Sequence, residues 1–348
     1  MNLKISVFFR AIPLLMGAIC LAFGLYVREM GVGDGYIIAG NVLISLTAIC
    51  IALFATAATI IRQIIKRYTK ADKVFYPILG YAAGIITFIC GIMLFTSGGS
   101  SADFVSGNVV SGVGLIACCV ATVAISSGKF SKITENSSVL TYGQPVKDGY
   151  SKQTYAIYFS IPIICTMIAL IRGIILLAGG STPSLVAGHV MIGLGLICAC
   201  LIALVATILR QIQNKFGNAE RWKWSIFVAV LGTTCLIWGI LLMIPYSAAM
   251  VAPGFVLIGL GLICYSISSK VLLLASVWRR SAPLGKRIPM IPVMTALSCL
   301  FLAAFLFEAS YTNPSFFVPA HIIVGLGAVC FTLFAIVSIL ESGTAKSS

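Results

Sequence analysis

The sequence is poor in charged residues, and above all in acidic ones. Of its 348 residues only 9% are charged, with nine Asp and Glu against 23 Lys and Arg. Folded soluble domains carry roughly a quarter charged residues, so a shortage of this size excludes an ordinary water-soluble protein. The mean hydropathy of +1.08 indicates instead a chain that lies largely in a membrane.

The motifs of metal sites and of membrane enzymes are also missing. The chain has only two histidines, and none of its twelve cysteines forms a Cys-x-x-Cys pair. It contains no phosphate-binding loop, no His-Glu-x-x-His and no Gly-x-Ser-x-Gly. The cysteines lie in or beside apolar runs, which is typical of small packing residues. We therefore expect no catalytic residue, cofactor or metal, and no enzymatic activity.

What the chain does contain is long apolar runs. A spanning helix needs about 20 apolar residues, and a helix satisfies its own backbone hydrogen bonds in hydrocarbon. The runs predict an all-α, polytopic transmembrane bundle of about ten spans, in a single integral membrane domain over residues 1–348. The spans are predicted at approximately 8–27, 36–61, 76–97, 104–127, 156–179, 184–209, 225–247, 251–277, 289–309 and 316–340.

The basic residues predict the orientation of these spans. With both termini in the cytoplasm, the cytoplasmic segments hold 20 of the 23 Lys and Arg residues, and the external loops hold only Arg28. Short loops rich in Lys and Arg stay inside, so we expect a multi-pass protein of a bacterial inner membrane. The basic loops are expected to contact anionic lipid headgroups, and the positive charge does not require nucleic acid. Residues 129–153, rich in Ser, Asn and Gly, are predicted to form a cytoplasmic linker.

The second helix of each hairpin carries the same sequence core. The five copies read AGNVLISLTAIC at 39–50, SGNVVSGVGLIA at 106–117, AGHVMIGLGLIC at 187–198, PGFVLIGLGLIC at 253–264 and PAHIIVGLGAVC at 319–330. They predict five parallel two-helix hairpin repeats, at approximately 8–61, 76–127, 156–209, 225–277 and 289–340. Because small residues let helices approach closely in membranes, the second helices are expected to form an inner group. Whether the group closes into a ring is left open.

One repeat position is polar in four of the five copies, and we predict that its residues lie at one depth near the external ends of the second helices. If the hairpins close into a ring, these residues would form a polar layer: Asn41, Asn108, His189 and His321. The asparagines are otherwise hydrogen-bond partners between helices. The histidines are otherwise simple hydrogen-bonding groups at helix ends, or groups that respond to external pH.

Two basic residues fall inside spans, where a charge costs about 2.5–3.5 kcal/mol on insertion scales. Arg172 either extends to the membrane interface or faces the bundle interior, where it could form an ion pair with Glu308. Lys270 either extends toward Trp278 and Arg279 or lines a water-filled cavity together with neighbouring serines. That cavity would open to the cytoplasm, and its polar lining residues would be Ser266, Ser268, Ser269 and Lys270.

The chain resembles the YhiM-like family of bacterial inner-membrane proteins. The resemblance lies in the AGHV-type cores, in Leu262-Ile-Cys-Tyr-Ser-Ile-Ser-Ser-Lys270, in Arg287-Ile-Pro-Met-Ile-Pro-Val293 and in Val324-Gly-Leu-Gly-Ala-Val-Cys330. It covers the chain from end to end, and it implies an inner-membrane location and a link to survival in acid. It assigns no substrate and no functional residue.

Two functions remain open at this point. The polar residues favour a transporter or channel for a small solute or ion. The interior rich in small residues, without a buried acid–base pair, favours a scaffold that supports stress tolerance by binding a partner protein.

Overall fold

The computed structural model describes residues 3–97, 99–131, 149–244, 247–277, 288 and 290–345. Within these ranges the chain contains ten long helices and no strand, and all ten helices are long and apolar enough to cross a membrane. The prediction of a ten-span helical membrane protein is therefore confirmed. The helices are α1 (Leu3–Glu29), α2 (Asp34–Ile64), α3 (Lys70–Thr96), α4 (Ser101–Ser126), α5 (Lys152–Ala178), α6 (Thr182–Ile212), α7 (Asn218–Met243), α8 (Ala248–Val277), α9 (Met290–Ser310) and α10 (Phe317–Ala345).

The five even-numbered helices form a closed ring. Around it, α2 contacts α4, α4 contacts α6, α6 contacts α8, α8 contacts α10, and α10 returns to contact α2. We call these the inner helices. Each odd-numbered, outer helix packs against the inner helix that follows it in the chain and against the neighbouring inner helix, so that α3 lies between α4 and α2. The chain termini share one side of the ring, here called the terminal face, and the inner helices begin at the opposite face.

Burial separates the two layers of helices. Over their most apolar stretches the inner helices are 67–89% buried, whereas the outer helices are 17–33% buried. The outer helices therefore present the apolar surface that lipid covers, and the core lies within and around the ring. Ten of the twelve cysteines are buried, as expected for small packing residues.

Glycines bring the two helices of a hairpin into backbone contact. A Cβ atom added at Gly114 of α4 would lie 2.5 Å from the backbone nitrogen of Phe88 and 2.8 Å from the carbonyl oxygen of Gly84, both in α3. Gly91 and Gly107 meet in the same way, seven residues along each helix. Seven residues are two helical turns, so the contact recurs on one face of each helix. Only glycine fits at this separation of the backbones.

A second set of glycines holds the inner helices to one another. A Cβ atom at Gly259 of α8 would lie 2.6 Å from Cδ1 of Leu326 in α10, because that leucine fills the space beside the glycine. The same arrangement recurs between successive inner helices, always in the same direction around the ring. The pairs are Gly112 with Leu194, Gly193 with Leu260, Gly259 with Leu326, and Gly325 with Leu46.

The remaining inner contact, between α2 and α4, has a different pair of residues. The repeat places Ser45 where the other copies have glycine, and Val113 where they have leucine. At this contact the residue at the glycine position (the notch) is larger than glycine, and the residue at the leucine position (the knob) is smaller than leucine. The substitution keeps the combined volume nearly constant, which packed interiors tolerate best.

Several helices start earlier than the apolar runs predicted. Helix α3 begins at residue 70 and not near 76, because Thr69 and Asp72 form a capping box at its start. Asp72 also forms an ion pair with Arg62 at the end of α2, at 2.7 Å. Helix α7 begins at residue 218 and not near 225, and its Glu220 is paired with Arg210 of α6 at 2.5 Å. The first turns of these helices are polar, so the apolar runs in the sequence do not include them.

Parts of the predicted arrangement lie outside the described residues. These are most of the linker predicted at 129–153, the basic loop that contains Arg279, Arg280, Lys286 and Arg287, and Lys346 near the C-terminus.

Candidate functional site

The axis of the ring is lined by aliphatic side chains at regular spacing. On α2 the lining residues are Val42, Leu46, Ile49, Leu53 and Thr56. Their separations of four, three, four and three residues average 3.5, the spacing that keeps one helix face directed at the centre of a bundle of helices. The other four inner helices contribute the equivalent positions, so the lining forms five successive layers.

The first four layers are entirely apolar. Counted from the opposite face, they are Val42, Val109, Val190, Val256 and Ile322; Leu46, Val113, Leu194, Leu260 and Leu326; Ile49, Ile116, Ile197, Ile263 and Val329; and Leu53, Val120, Leu201, Ile267 and Leu333. The fifth layer, nearest the terminal face, consists of Thr56, Val123, Leu204, Lys270 and Ile336.

The cavity between these layers is narrow. Its volume is about 40 Å³, which is room for about three water molecules, since one water needs about 10–15 Å³ measured in this way. Where only the four apolar layers line it, the cavity stays dry, and a dry apolar constriction stops the passage of ions. The axis between these described residues is therefore not an open path for ions in this structure.

Lys270 is the predicted lining residue that the structure places on the axis. Its side chain is 4% exposed and lines both the main cavity and a smaller one, of about 20 Å³, toward the terminal face. The smaller cavity also contacts Thr56, Ser127 and Phe130. Lys270 thus lines a cavity within the bundle. That this cavity is water-filled and open to the cytoplasm stays a prediction.

Asn41, Asn108 and Arg172 lie in contacts between helices, away from the residues that line the axis. Asn41 donates a hydrogen bond from Nδ2 to Oγ of Ser106 at 3.2 Å, which joins α2 to α4. Asn108 accepts a hydrogen bond at Oδ1 from Nε of Arg172 at 2.9 Å. The Arg172 guanidinium also lies over the ring of Phe95, 4.8 Å from its centroid. Arg172 therefore joins α5 to α4 and α3.

The structure does not bring Arg172 and Glu308 together. Glu308 is exposed near the end of α9, which packs between α8 and α10, whereas α5 packs between α4 and α6. Among the described side chains, Arg172 is satisfied by the amide of Asn108 and a π face instead of a carboxylate.

The serines and histidines named as lining residues also point away from the axis. Ser266 is hydrogen-bonded to Thr295 of α9 at 2.6 Å, and Ser269 donates to the carbonyl oxygen of Ser266. His321 is surrounded by Phe23, Phe307 and Phe317, with ring centroids 4.2–5.5 Å away.

His189 lies against the ring of Trp238, and its buried Nδ1 has no hydrogen-bond partner among the described atoms. These aromatic contacts occupy the space between inner and outer helices.

The predicted polar layer lies one residue before the axial positions on each helix, and therefore on a different helix face. Asn41, Asn108, His189 and His321 each precede an axial residue, and successive residues on a helix point about 100° apart. The axial layers were nevertheless detectable in the sequence, because valine, leucine and isoleucine recur at matching positions in all five copies. The polar positions do not mark the axis, whereas this aliphatic series does.

Comparison with known proteins agrees with this architecture. Residues 1–345 match the model of a family described as "Protein of unknown function (DUF2776)". The chain belongs to the DUF2776 family. It is also 50% identical over 350 residues to the Inner membrane protein YhiM of Escherichia coli (strain K12), an alignment that covers 99% of this chain and all of that protein. No solved structure matches.

The comparison confirms the resemblance to YhiM-like proteins. Together with the ten apolar helices, it identifies this DUF2776 member as a multi-pass protein of the inner membrane.

The contact between Asn108 and Arg172 leads to a stability prediction. Asn108→Ala leaves the half-buried guanidinium without its acceptor, and we expect the free energy of unfolding to fall by about 1–3 kcal/mol. In an Arg172→Met background the same substitution should cost clearly less, because the guanidinium is already gone. Denaturant titration of the purified protein in detergent measures both values.

Glu308→Gln is the matched control for this prediction. It should leave stability unchanged in the presence or absence of Arg172. Coupling of Arg172 to Glu308, and none to Asn108, would contradict the arrangement described.

Proposed function

We propose that the protein is an ion channel whose path is the axis of the inner ring, closed in this conformation by four apolar layers. The observation that carries the proposal is the closed ring of five helices with its axial cavity. The ring directs one equivalent face of each inner helix at a common axis. A conducting path needs this arrangement, because every layer must be able to open around the same line.

The lining supports a channel that is gated by hydration. Apolar constrictions of this size exclude water, and a modest increase in radius or polarity lets water and ions enter. Leucine, isoleucine and valine side chains occupy all twenty positions of the first four layers. Small outward movements of the inner helices against the lipid-facing outer helices would widen all of these layers together.

We propose the orientation that the basic loops predict, with both termini in the cytoplasm and the lysine-bearing end of the axis on the cytoplasmic side. The basic residues at the terminal face would then contact anionic headgroups. A fluorescent protein fused after Ser348 should fluoresce, and a periplasmic phosphatase fused there should be inactive. The reverse pattern would refute this orientation.

The role in acid survival that the family resemblance implies fits such a channel. A protein that moves ions across the inner membrane alters the membrane potential, which in turn affects proton entry. A scaffold that acts through a partner is the competing explanation, and the following experiment separates the two.

Substituting two axial isoleucines by serine tests the channel. Ile197→Ser combined with Ile263→Ser places two hydroxyl groups in the third layer, where a dry environment would leave them without partners at a cost of about 1–3 kcal/mol each. Hydration of the constriction relieves this cost. We expect potassium chloride to leave proteoliposomes at least about tenfold faster than with the unsubstituted protein, as read by a potential-sensitive dye or ion electrodes.

Ile237→Ser combined with Ile240→Ser is the matched control, because both isoleucines are more than half exposed on the outer helix α7. This control should leave the flux unchanged. Equal flux from the axial and the lipid-facing variants, with both proteins correctly inserted, would favour the scaffold.

A further inference from the structure

A single basic residue interrupts the uncharged wall of the axis. Lys270 of α8 lies in the fifth layer, where the other inner helices contribute Thr56, Val123, Leu204 and Ile336. The five helices are otherwise equivalent along the axis. The charge therefore belongs to one position of the path and is not a general feature of the repeats.

No hydrogen bond or ion pair connects the Lys270 ammonium to another side chain among the described residues. The hydroxyl of Thr56 donates to the carbonyl oxygens of Ala52 at 3.0 Å and Val120 at 3.3 Å, and that of Ser127 donates to Val123 at 2.7 Å. The protons of the neighbouring hydroxyls are thus donated to backbone carbonyl oxygens and are not available to a ligand. Arg172, the other basic residue well inside a span, has both an amide and an aromatic partner.

No acidic side chain of the described residues lines either cavity. The acids whose side chains the structure describes all lie within three residues of a helix end, and two of them are paired with arginines at the terminal face. They are Glu29, Asp34, Asp72, Asp103, Glu220 and Glu308. Within the described part of the chain, the buried ammonium has no carboxylate to balance it.

A buried lysine that no counter-charge or hydrogen-bonding group compensates tends to become neutral, so its charged form needs such a partner. The space beside Lys270 offers room for such a partner from outside the protein. The smaller cavity, of about 20 Å³, holds about one water-sized particle, and the main cavity holds about three. These sizes fit a small inorganic anion and exclude organic anions of several carbon atoms, and one ammonium balances a single negative charge.

We propose that Lys270 forms a binding site for a small monovalent anion on the axis, and that this site makes the path selective for anions. The inference rests in part on the proposed channel, since selectivity requires conduction, but binding does not. A fixed ammonium beside a narrow path attracts anions and repels cations, and the low dielectric of the surrounding layers strengthens both effects.

Reversal potentials measure the selectivity. In a potassium chloride gradient across a planar bilayer, the variant with Ile197→Ser and Ile263→Ser should be more permeable to chloride than to potassium. Adding Lys270→Met should lower the ratio of chloride to potassium permeability at least about tenfold. Lys270→Arg, which keeps the charge, should preserve the preference for anions. Gluconate in place of chloride should carry little current, because it does not fit the cavity.

Chloride-dependent stability measures the binding without conduction. Replacing sodium chloride by sodium gluconate should lower the melting temperature of the detergent-solubilised wild-type protein, and Lys270→Met should abolish most of this difference. Replacing a buried charge by an apolar side chain of similar length is compatible with folding. Lys73→Met is the matched control, because Lys73 is exposed at the start of α3, and it should keep the wild-type response in both assays.

The two assays separate the failure of this site from the failure of the channel. Conduction that prefers potassium, or that is insensitive to Lys270→Met, would overturn the anion site and leave the channel standing. A chloride effect on stability that is lost in Lys270→Met, without any conduction, would support the site and refute the channel. The absence of both effects would overturn both.

Discussion

The packing of each inner helix against the next determines the architecture. Four of the five contacts place a leucine of one helix beside a glycine of the helix before it, and at the fifth the equivalent repeat positions are Val113 and Ser45. Each inner helix thus has a notch on one side and a knob on the other. In a membrane there is little hydrophobic force between helices, so close packing of this kind provides much of the association energy. An open row would leave the Gly325 notch and the Leu46 knob unpacked, and ring closure removes both defects.

Closure of the ring has consequences for every other part of the chain. The leucines that act as knobs also form the second axial layer, so the contacts that hold the ring together also set the radius of its axis. The outer helices are attached through the glycine contacts of their hairpins and lie in the external grooves, where they meet lipid. The side chains of His321, His189 and Arg172 fill the zone between the two layers of helices, and Lys270 is left as the only charged residue among the described axial positions.

Much of the fold could be predicted because lipid imposes strong rules on a sequence. The ten spans and the inner position of the second helices followed from hydropathy and from the glycines of the repeated cores. The start of α3 was misplaced because Lys70, Asp72 and Lys73 are polar, and the capping role of Asp72 depends on Thr69 and Arg62. Polar residues did not identify the axis, because Asn41 and its equivalents make contacts between neighbouring helices instead of lining the cavity. The partner of Arg172 could not be predicted either, since a neutral amide on a neighbouring helix leaves no charge signal. Lys270 could be singled out from the sequence because a charged residue within an apolar span is costly and therefore rare.

The first and last hairpins close the ring, and a double-mutant cycle across the contact between α10 and α2 measures this closure. A Cβ atom at Gly325 would lie 2.5 Å from Cδ1 of Leu46, so Gly325→Val should destabilise the protein by about 1–3 kcal/mol through overpacking. In a Leu46→Ala background the valine should fill the vacated space, giving a coupling energy of at least about 1 kcal/mol in the free energy of unfolding. Leu46→Ala combined with Gly259→Val, which lies at another contact of the ring, should be additive. Additivity at both pairs would show that α10 and α2 do not pack together and would contradict the closed ring.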